Sequence, residues 1–273
     1  MGSPQRGAAA FVAAGALWIG GGALCYSCGW RAARRAAMEE VNEAHTVVDA
    51  NLTRGKAATP AAGRGIYRVV LTGGPCGGKS SSQEHLSLAL SDAGYDVYFA
   101  PEVPTILMNG GCTYPGLAQE NAAELLAFER SIIQMQIQME DSFISVASAS
   151  ARPSVVVFDR GLLDVPAYLP RDIWLSLLAA MGYDEAGFAA RYDVVIHLVT
   201  TAYDIEDVYL QQKANNPART ETPEEARALD DKVLKCWAAH PLVERLGNET
   251  GFNKKLQGGS RAVLGVIAKL QRK

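Results

Sequence analysis

The sequence predicts an α/β fold: three layers, α/β/α, around a mainly parallel five-stranded sheet. Three observations predict it. From Ile66 onward, strand-like and helix-like segments alternate. The strand Ser154–Phe158 is apolar throughout its interior, as a parallel strand covered on both faces should be. A glycine-rich loop joins the first strand to the first helix.

The elements follow in order. Arg68–Thr72 reads as the first strand, and Ser80–Ala93 as a helix stopped by Gly94. Asp96–Ala100 is the second strand. A Gly/Pro-rich loop, Asn109–Gly116, comes next. A long helix is expected over Ala118–Ser148. Its apolar residues Leu125, Phe128, Ile132, Met135, Met139, Phe143 and Val146 recur every three or four positions. After the strand Ser154–Phe158, helical segments are expected over Arg171–Ala180 and Glu185–Ala190. Val194–Val199 is the fourth strand, and Ala202–Thr220 reads as polar and irregular. Thr222-Pro-Glu-Glu225 is a capping box with proline in the first turn, so a helix starts there. Val243–Leu246 is a short fifth strand. Phe252–Leu270 is helical, with an interruption at Gly258-Gly259.

The loop after the first strand carries the chemistry. Gly73 to Ser80 reads G-x-x-x-x-G-K-S, the phosphate-binding P-loop, in its required setting between strand and helix. Gly73, Gly74, Gly77 and Gly78 let the backbone curl so that successive N–H groups face phosphate oxygens. Pro75, Cys76 and Ser81 complete the predicted nucleotide-binding segment, and Cys76 reads as a small loop residue. The following helix points its positive end at the same place. Lys79 would reach the terminal phosphates of ATP or GTP, and the Ser80 hydroxyl would bind Mg²⁺. The fold class is thus a P-loop NTPase or kinase.

Composition bounds the rest. At 48% hydrophobic residues, the 273-residue chain can fill a core. A net charge of −3 gives no basic field for nucleic acid. Five scattered cysteines do not read as a disulfide framework, and the Cys25-x-x-Cys28 pair has no second pair to make a zinc site. The four histidines show no ligand spacing. The expected division is residues 1–63 as an apolar segment plus linker, then 64–273 as the nucleotide-binding domain.

The uncharged run Gly7–Trp30 is long enough to cross a bilayer as a helix. Arg31, Arg34 and Arg35 follow it, so positive-inside logic anchors the chain in a membrane with the P-loop domain facing the cytosol. Residues 1–38 also hold four arginines and no acid, which fits a transit peptide for a mitochondrion or plastid. Both readings stay open.

Three further positions narrow the function. Glu102 follows the second strand at the sheet edge, where ligands of parallel sheets bind. Its carboxylate suits a base that takes a proton from an attacking hydroxyl. Asp159 and Arg160 end the third strand. The acid is placed to hold Mg²⁺, and the guanidinium to neutralise charge on the transferring group. Arg219 lies in the segment after the fourth strand, where a cationic loop can close over phosphates. Gln134 and Gln138 on the long helix are candidates for reading a substrate base, and exposed helix polars explain them equally well.

Five blocks in order, TGGPCGGKSSS, YFAPEVPTILMNGG, VVVFDRGLLDVPAYLP, RYDVVIHLVTTA and ARTETPEEARALD, resemble the AAA-type P-loop domain named for NadR and the TRPL translocation defect protein. The resemblance covers about Tyr67 to the C-terminus. More distantly the layout is similar to deoxynucleoside kinases. Carried over, the resemblance implies a base at Glu102, an acid–Arg pair at Asp159 and Arg160, a lid residue at Arg219, ATP or GTP, and Mg²⁺. It implies two different functions, because one branch includes a ribosylnicotinamide kinase domain and the other is associated with GTP binding. The lipid-binding domain that accompanies that second branch is not expected within these 273 residues. The expectations are therefore a Mg-dependent phosphotransferase acting on a nucleoside-like small molecule, or a regulatory NTPase at a membrane. There is no N-K-x-D guanine-reading motif, so ATP is the default nucleotide.

Overall fold

The computed structural model describes residues 65–117, 121–214 and 221–272. The apolar run 7–30, the linker before Gly65 and Arg219 lie outside the described residues. Among the described residues no helix is long and apolar enough to cross a membrane.

Five strands form one fully parallel sheet: β1 (Ile66–Thr72), β2 (Asp96–Ala100), β3 (Ser154–Asp159), β4 (Val194–Leu198) and β5 (Val243–Leu246), in the spatial order β2-β3-β1-β4-β5. β1 is central, with Val69 opposite Val157 of β3 and Val70 opposite Val195 of β4. The chain leaves β1 for one edge of the sheet and later crosses to the other. Its central strand therefore ends at a topological switch, where parallel sheets open a crevice.

Alternation along the strands divides the core in two. Val69 and Leu71 point to the layer of α1 (Lys79–Asp92) and α8 (Phe252–Leu270), where Leu86, Leu90, Val263 and Ile267 meet them. Val70, Val156 and Phe158 point to the opposite layer. That layer holds α3 (Ala122–Ser148), a 3₁₀ helix (Leu162–Tyr168), α4 (Arg171–Met181), α5 (Glu185–Ala189) and α7 (Pro223–Cys236). Trp174 and Trp237 are fully buried there. Burying a large apolar side chain contributes about 1.5–3 kcal/mol, so this layer is the heavier part of the core.

Several elements differ from the sequence reading. α2 (Val103–Asn109) follows β2 directly, an element the sequence reading did not assign, and carries Pro104 in its first turn. Proline is harmless in a helix's first turn, whose N–H groups have no intrahelical acceptor. The 3₁₀ helix carries Pro166 in its interior. The polar stretch after β4 contains α6 (Glu206–Ala214), anchored by the buried Tyr209. Gly258 and Gly259 do not interrupt α8; they let it lie close to Leu246 of β5, where a Cβ on Gly258 would come within 3.2 Å of Leu246. On α3 the buried stripe is Leu125, Glu129, Ile132, Ile133, Gln136, Glu140 and Ala147, while Val146 is exposed. Hydrophobicity placed that stripe one column away, because three of its members are polar.

Candidate active site

The site forms where β1, β2 and β3 end. Gly73 leaves β1 at φ 128°, a conformation open to glycine, and a Cβ there would lie 2.1 Å from the Leu198 carbonyl oxygen. The loop thus rests on the end of β4, and no other residue fits. Cys76 also has positive φ, 56°, and its buried side chain packs with Ala202, Tyr209 and Ala226. That is the small, structural role expected of it.

The loop amides divide into two sets. The Gly74 N–H donates to Asp230 Oδ1 at 2.7 Å, and the Pro75 carbonyl accepts from the Thr200 hydroxyl at 2.5 Å. These two residues fix the loop to α7 and to the end of β4. Asp230 also accepts from Thr200 N–H at 3.0 Å and faces His197 Nε2 at 3.1 Å. Burial raises the carboxyl's proton affinity, but His197 and the two amides outweigh it, so the group sits below the usual aspartate range. At the start of α1, Gly78 provides no side-chain cap and the first turn holds no acid. The N–H groups of Lys79, Ser80 and Ser81 lack intrahelical acceptors and face the mouth of the loop, a seat for an anion.

Lys79 folds back over the loop, its Nζ 3.2 Å from the Gly73 carbonyl and 3.3 Å from that of Gly74. Burial, aided by the nearby Arg160 guanidinium, pulls its ammonium down to about 8, against the opposing pull of Asp159, Glu102 and Asp164. The five charged groups therefore share one enclosure.

Glu102 and Arg160 meet directly, with Nε 2.5 Å from Oε1. Glu102 is the N-cap of α2 and its Oε2 accepts from the Thr105 hydroxyl at 2.6 Å. Burial favours its neutral form, but Arg160, Thr105 and Lys79 together hold the carboxyl below its ordinary range. Arg160 has φ 70°, unusual for a side-chain-bearing residue. Its N–H donates to Leu71 O at 3.0 Å and its carbonyl accepts from Gln136 Nε2 at 3.3 Å. The guanidinium lies 5.9 Å from the centre of the Tyr168 ring, and its Nη1 is buried with no hydrogen-bond acceptor among the described residues. A buried, fixed cation with an unfilled donor is suited to an incoming anion.

Asp159, 2% exposed at the end of β3, accepts from Gln83 Nε2 at 3.1 Å. Gln83 lies one turn beyond the exposed Ser80 on α1, so Asp159 stands beside the helix start that carries Ser80. A hydroxyl and one carboxylate, with the remaining positions left to phosphate and water, is the donor set Mg²⁺ takes in such sites. Among the described residues no group of three His, Cys, Asp or Glu is placed to hold a metal.

Sequence reasoning missed the supports. Asp164 accepts from Thr72 Oγ1 at 2.5 Å, Trp237 Nε1 at 2.8 Å and Gly161 N–H at 3.0 Å, locking the turn after Arg160. Gly161 is required there, because a Cβ would sit 2.8 Å from the Trp237 ring. Gln136 links Arg160 to Glu140, which in turn holds Arg191 and Tyr192 at 2.7 and 2.6 Å. The glutamine that reaches the site is thus Gln136, whereas Gln134 and Gln138 are exposed. No motif marks Gln136, Glu140 or Asp230. A polar residue recurring inside an otherwise apolar helix stripe was the available signal.

A 2-3-1-4-5 parallel sheet with a P-loop at its central strand defines a P-loop NTPase-type domain. The chain belongs to the AAA domain family, whose model matches residues 68–244. That span runs from β1 into β5 and includes every element that builds the site, which is the ground for nucleotide and Mg²⁺ use. Comparison with curated proteins gives no match.

Proposed function

We propose that this domain is a Mg²⁺-dependent phosphotransferase that moves the γ-phosphoryl group of ATP or GTP to a hydroxyl of a nucleoside-like small molecule. The observation that carries this reading is the Glu102–Arg160 pair, held beside Lys79 at the mouth of the loop. Nucleotide binding needs the loop and Lys79. An ionised carboxylate fixed at the sheet edge is useful when a second substrate must lose a proton.

In this reading Gly77, Gly78, Lys79, Ser80 and Ser81 cradle the phosphates. Ser80 and Asp159 are the residues that would hold Mg²⁺, which supplies charge neutralisation on the phosphate oxygens. The acceptor oxygen attacks the γ-phosphorus, the bond to the β-phosphate oxygen breaks, and the acceptor's proton passes to Glu102. Arg160, through its unfilled Nη1, steadies the charge on the moving group. Arg219 is proposed as a lid residue by its position in the chain. The resemblance to the NadR group supports a metabolite acceptor, and it equally admits a regulatory NTPase.

The test is a phosphate-transfer screen of nucleosides with γ-labelled ATP and GTP on the full chain, paired with Glu102→Gln. Removing a general base costs about a hundred- to ten-thousandfold in rate. Nucleotide affinity should hold, because the loop is untouched. If the wild type transfers phosphate to no nucleoside and Glu102→Gln keeps a slow hydrolysis intact, the regulatory reading replaces this one.

A further inference from the structure

Phe252 opens α8, and the site described so far does not use it. Its ring stands against the phosphate loop. Ring atoms Cε2 and Cζ lie 2.9 and 3.6 Å from where a Cβ on Gly78 would be. The ring edge therefore rests on the bare backbone of the residue before Lys79. Yet Phe252 is 48% exposed. Among the described residues no other aromatic ring pairs with it. A single exposed apolar side chain is ordinary on a protein surface. Contact with the loop is what sets this one apart.

The segment that carries the ring is fixed from below. Between β5 and α8 the chain runs Gly247-Asn-Glu-Thr-Gly251. Asn248 is buried, and its Nδ2 donates to the Thr200 carbonyl at 2.9 Å and the Tyr203 carbonyl at 3.1 Å. Its Oδ1 accepts from the buried Lys255 Nζ at 2.8 Å, and that ammonium also donates to the Val199 carbonyl at 2.6 Å. These bonds tie the start of α8 to the end of β4, where Thr200 holds the Pro75 carbonyl. They also use up the groups that could read a base. Both N–H donors of Asn248 are spent, and Glu249 turns back over Gly247. The segment thus offers the loop an aromatic face and no free side-chain amide.

Sheet order gives the ring its task. Glu102, Asp159 and Arg160 end β2 and β3, on one side of the central strand, and Phe252 follows β5, on the other. With the terminal phosphates turned toward the charged side, the base of a bound nucleotide leaves the loop toward Phe252. We propose that Phe252 is the stacking platform for that base. The chain then holds a purine nucleotide by the face of its base rather than by its edge, and takes ATP and GTP alike. Every base has a π-face, so stacking tolerates either. The inference rests on the nucleotide seat of the phosphotransferase reading, not on transfer, and adds the choice of nucleotide to it.

The experiment measures Mg²⁺-dependent binding to the full chain by calorimetry, with ATP, GTP and inorganic tripolyphosphate as probes. Tripolyphosphate fills the loop and has no base. Wild type is compared with Phe252→Leu, which keeps an apolar side chain over Gly78 but no flat face, and with Phe252→Trp, which keeps one. Wild type should bind ATP and GTP within about threefold of each other. Phe252→Leu should weaken both about ten- to a hundredfold and leave tripolyphosphate unchanged, while Phe252→Trp keeps both. The fluorescence that Phe252→Trp adds to the wild-type signal should be quenched by ATP and GTP and not by tripolyphosphate. Equal losses for nucleotide and tripolyphosphate in Phe252→Leu would make the ring a structural prop and overturn the inference. No loss for either would also overturn it, as would a wild-type preference between ATP and GTP above about tenfold. Nucleotide affinity that depends on Phe252, without phosphate transfer to any acceptor, supports the inference and overturns the phosphotransferase reading alone. Binding of none of the three probes overturns the nucleotide seat and both proposals with it.

Discussion

Lys79 gives the sharpest test of the loop. Its ammonium is drawn down to about 8 by burial and by Arg160. Triphosphate brought against it should restore the charged form, so nucleotide binding must take up a proton when the pH lies above that value. The sign follows directly. At pH near 7.5 most of the free protein already carries the proton; at pH 9 about nine-tenths does not. If the bound lysine stays charged throughout, the binding constant should fall about eightfold between those pH values, about 1.3 kcal/mol. Calorimetry of ATP–Mg²⁺ in buffers of differing ionisation enthalpy measures the uptake directly, about 0.9 proton at pH 9. Lys79→Arg stays charged over the whole range. It should bind with an affinity that does not change with pH, whatever its absolute strength. Lys255 is also drawn down to about 8 by burial, and it would be retained in that variant. A wild-type affinity flat from pH 7.5 to 9, or the same slope in Lys79→Arg, would refute the reasoning.

Three other perturbations follow from the packing. Glu129→Met should stabilise the fold, because a carboxyl raised from 4.5 to about 7 costs stability as pH rises through that window. The gain by urea denaturation should be about 3 kcal/mol at pH 8 and less than half of that near pH 5.5, and equal gains at both would deny the titration. Gly161→Ala puts a methyl 2.8 Å from the Trp237 ring and should cost about 1–3 kcal/mol of stability; a melt within experimental error of wild type would mean the turn can shift freely. Asp230→Ala strips the acceptor from the Gly74 and Thr200 amides and should cost about 2–5 kcal/mol while loosening nucleotide binding. Because Asp230 is held below its ordinary value, its contribution is complete above pH 3.8 and fades only as pH falls further. An Asp230→Ala protein that matches wild type in a pH 7 melt would show the anchor to be idle.

The local signals were strong where chemistry and secondary structure coincide in one segment. The P-loop, the parallel strands and the capping box at Thr222 are each written into a few consecutive residues, because backbone conformation and hydrogen-bonding needs there are local. The placement of Glu102, Asp159 and Arg160 at one edge of the sheet was legible for the same reason: the ends of parallel strands converge there whatever the loops between them. Helices α2 and α6 were not legible, since prolines and polar residues mark loops and first turns alike.

Only the tertiary structure decided how those residues are used. The Glu102–Arg160 pair joins residues 58 positions apart, and the Gly74–Asp230 bond joins residues 156 apart. No periodicity encodes such partners. The buried stripe of α3 was displaced for a physical reason: hydrophobicity finds the column that packs, while Gln136 and Glu140 are buried because of what they hold. The sequence alone determined that a phosphate-binding loop would sit at the end of a central strand. Packing determined which carboxylates are paired and what charge surrounds Lys79. Burial and partner distance set those properties, and both exist only once the chain has folded.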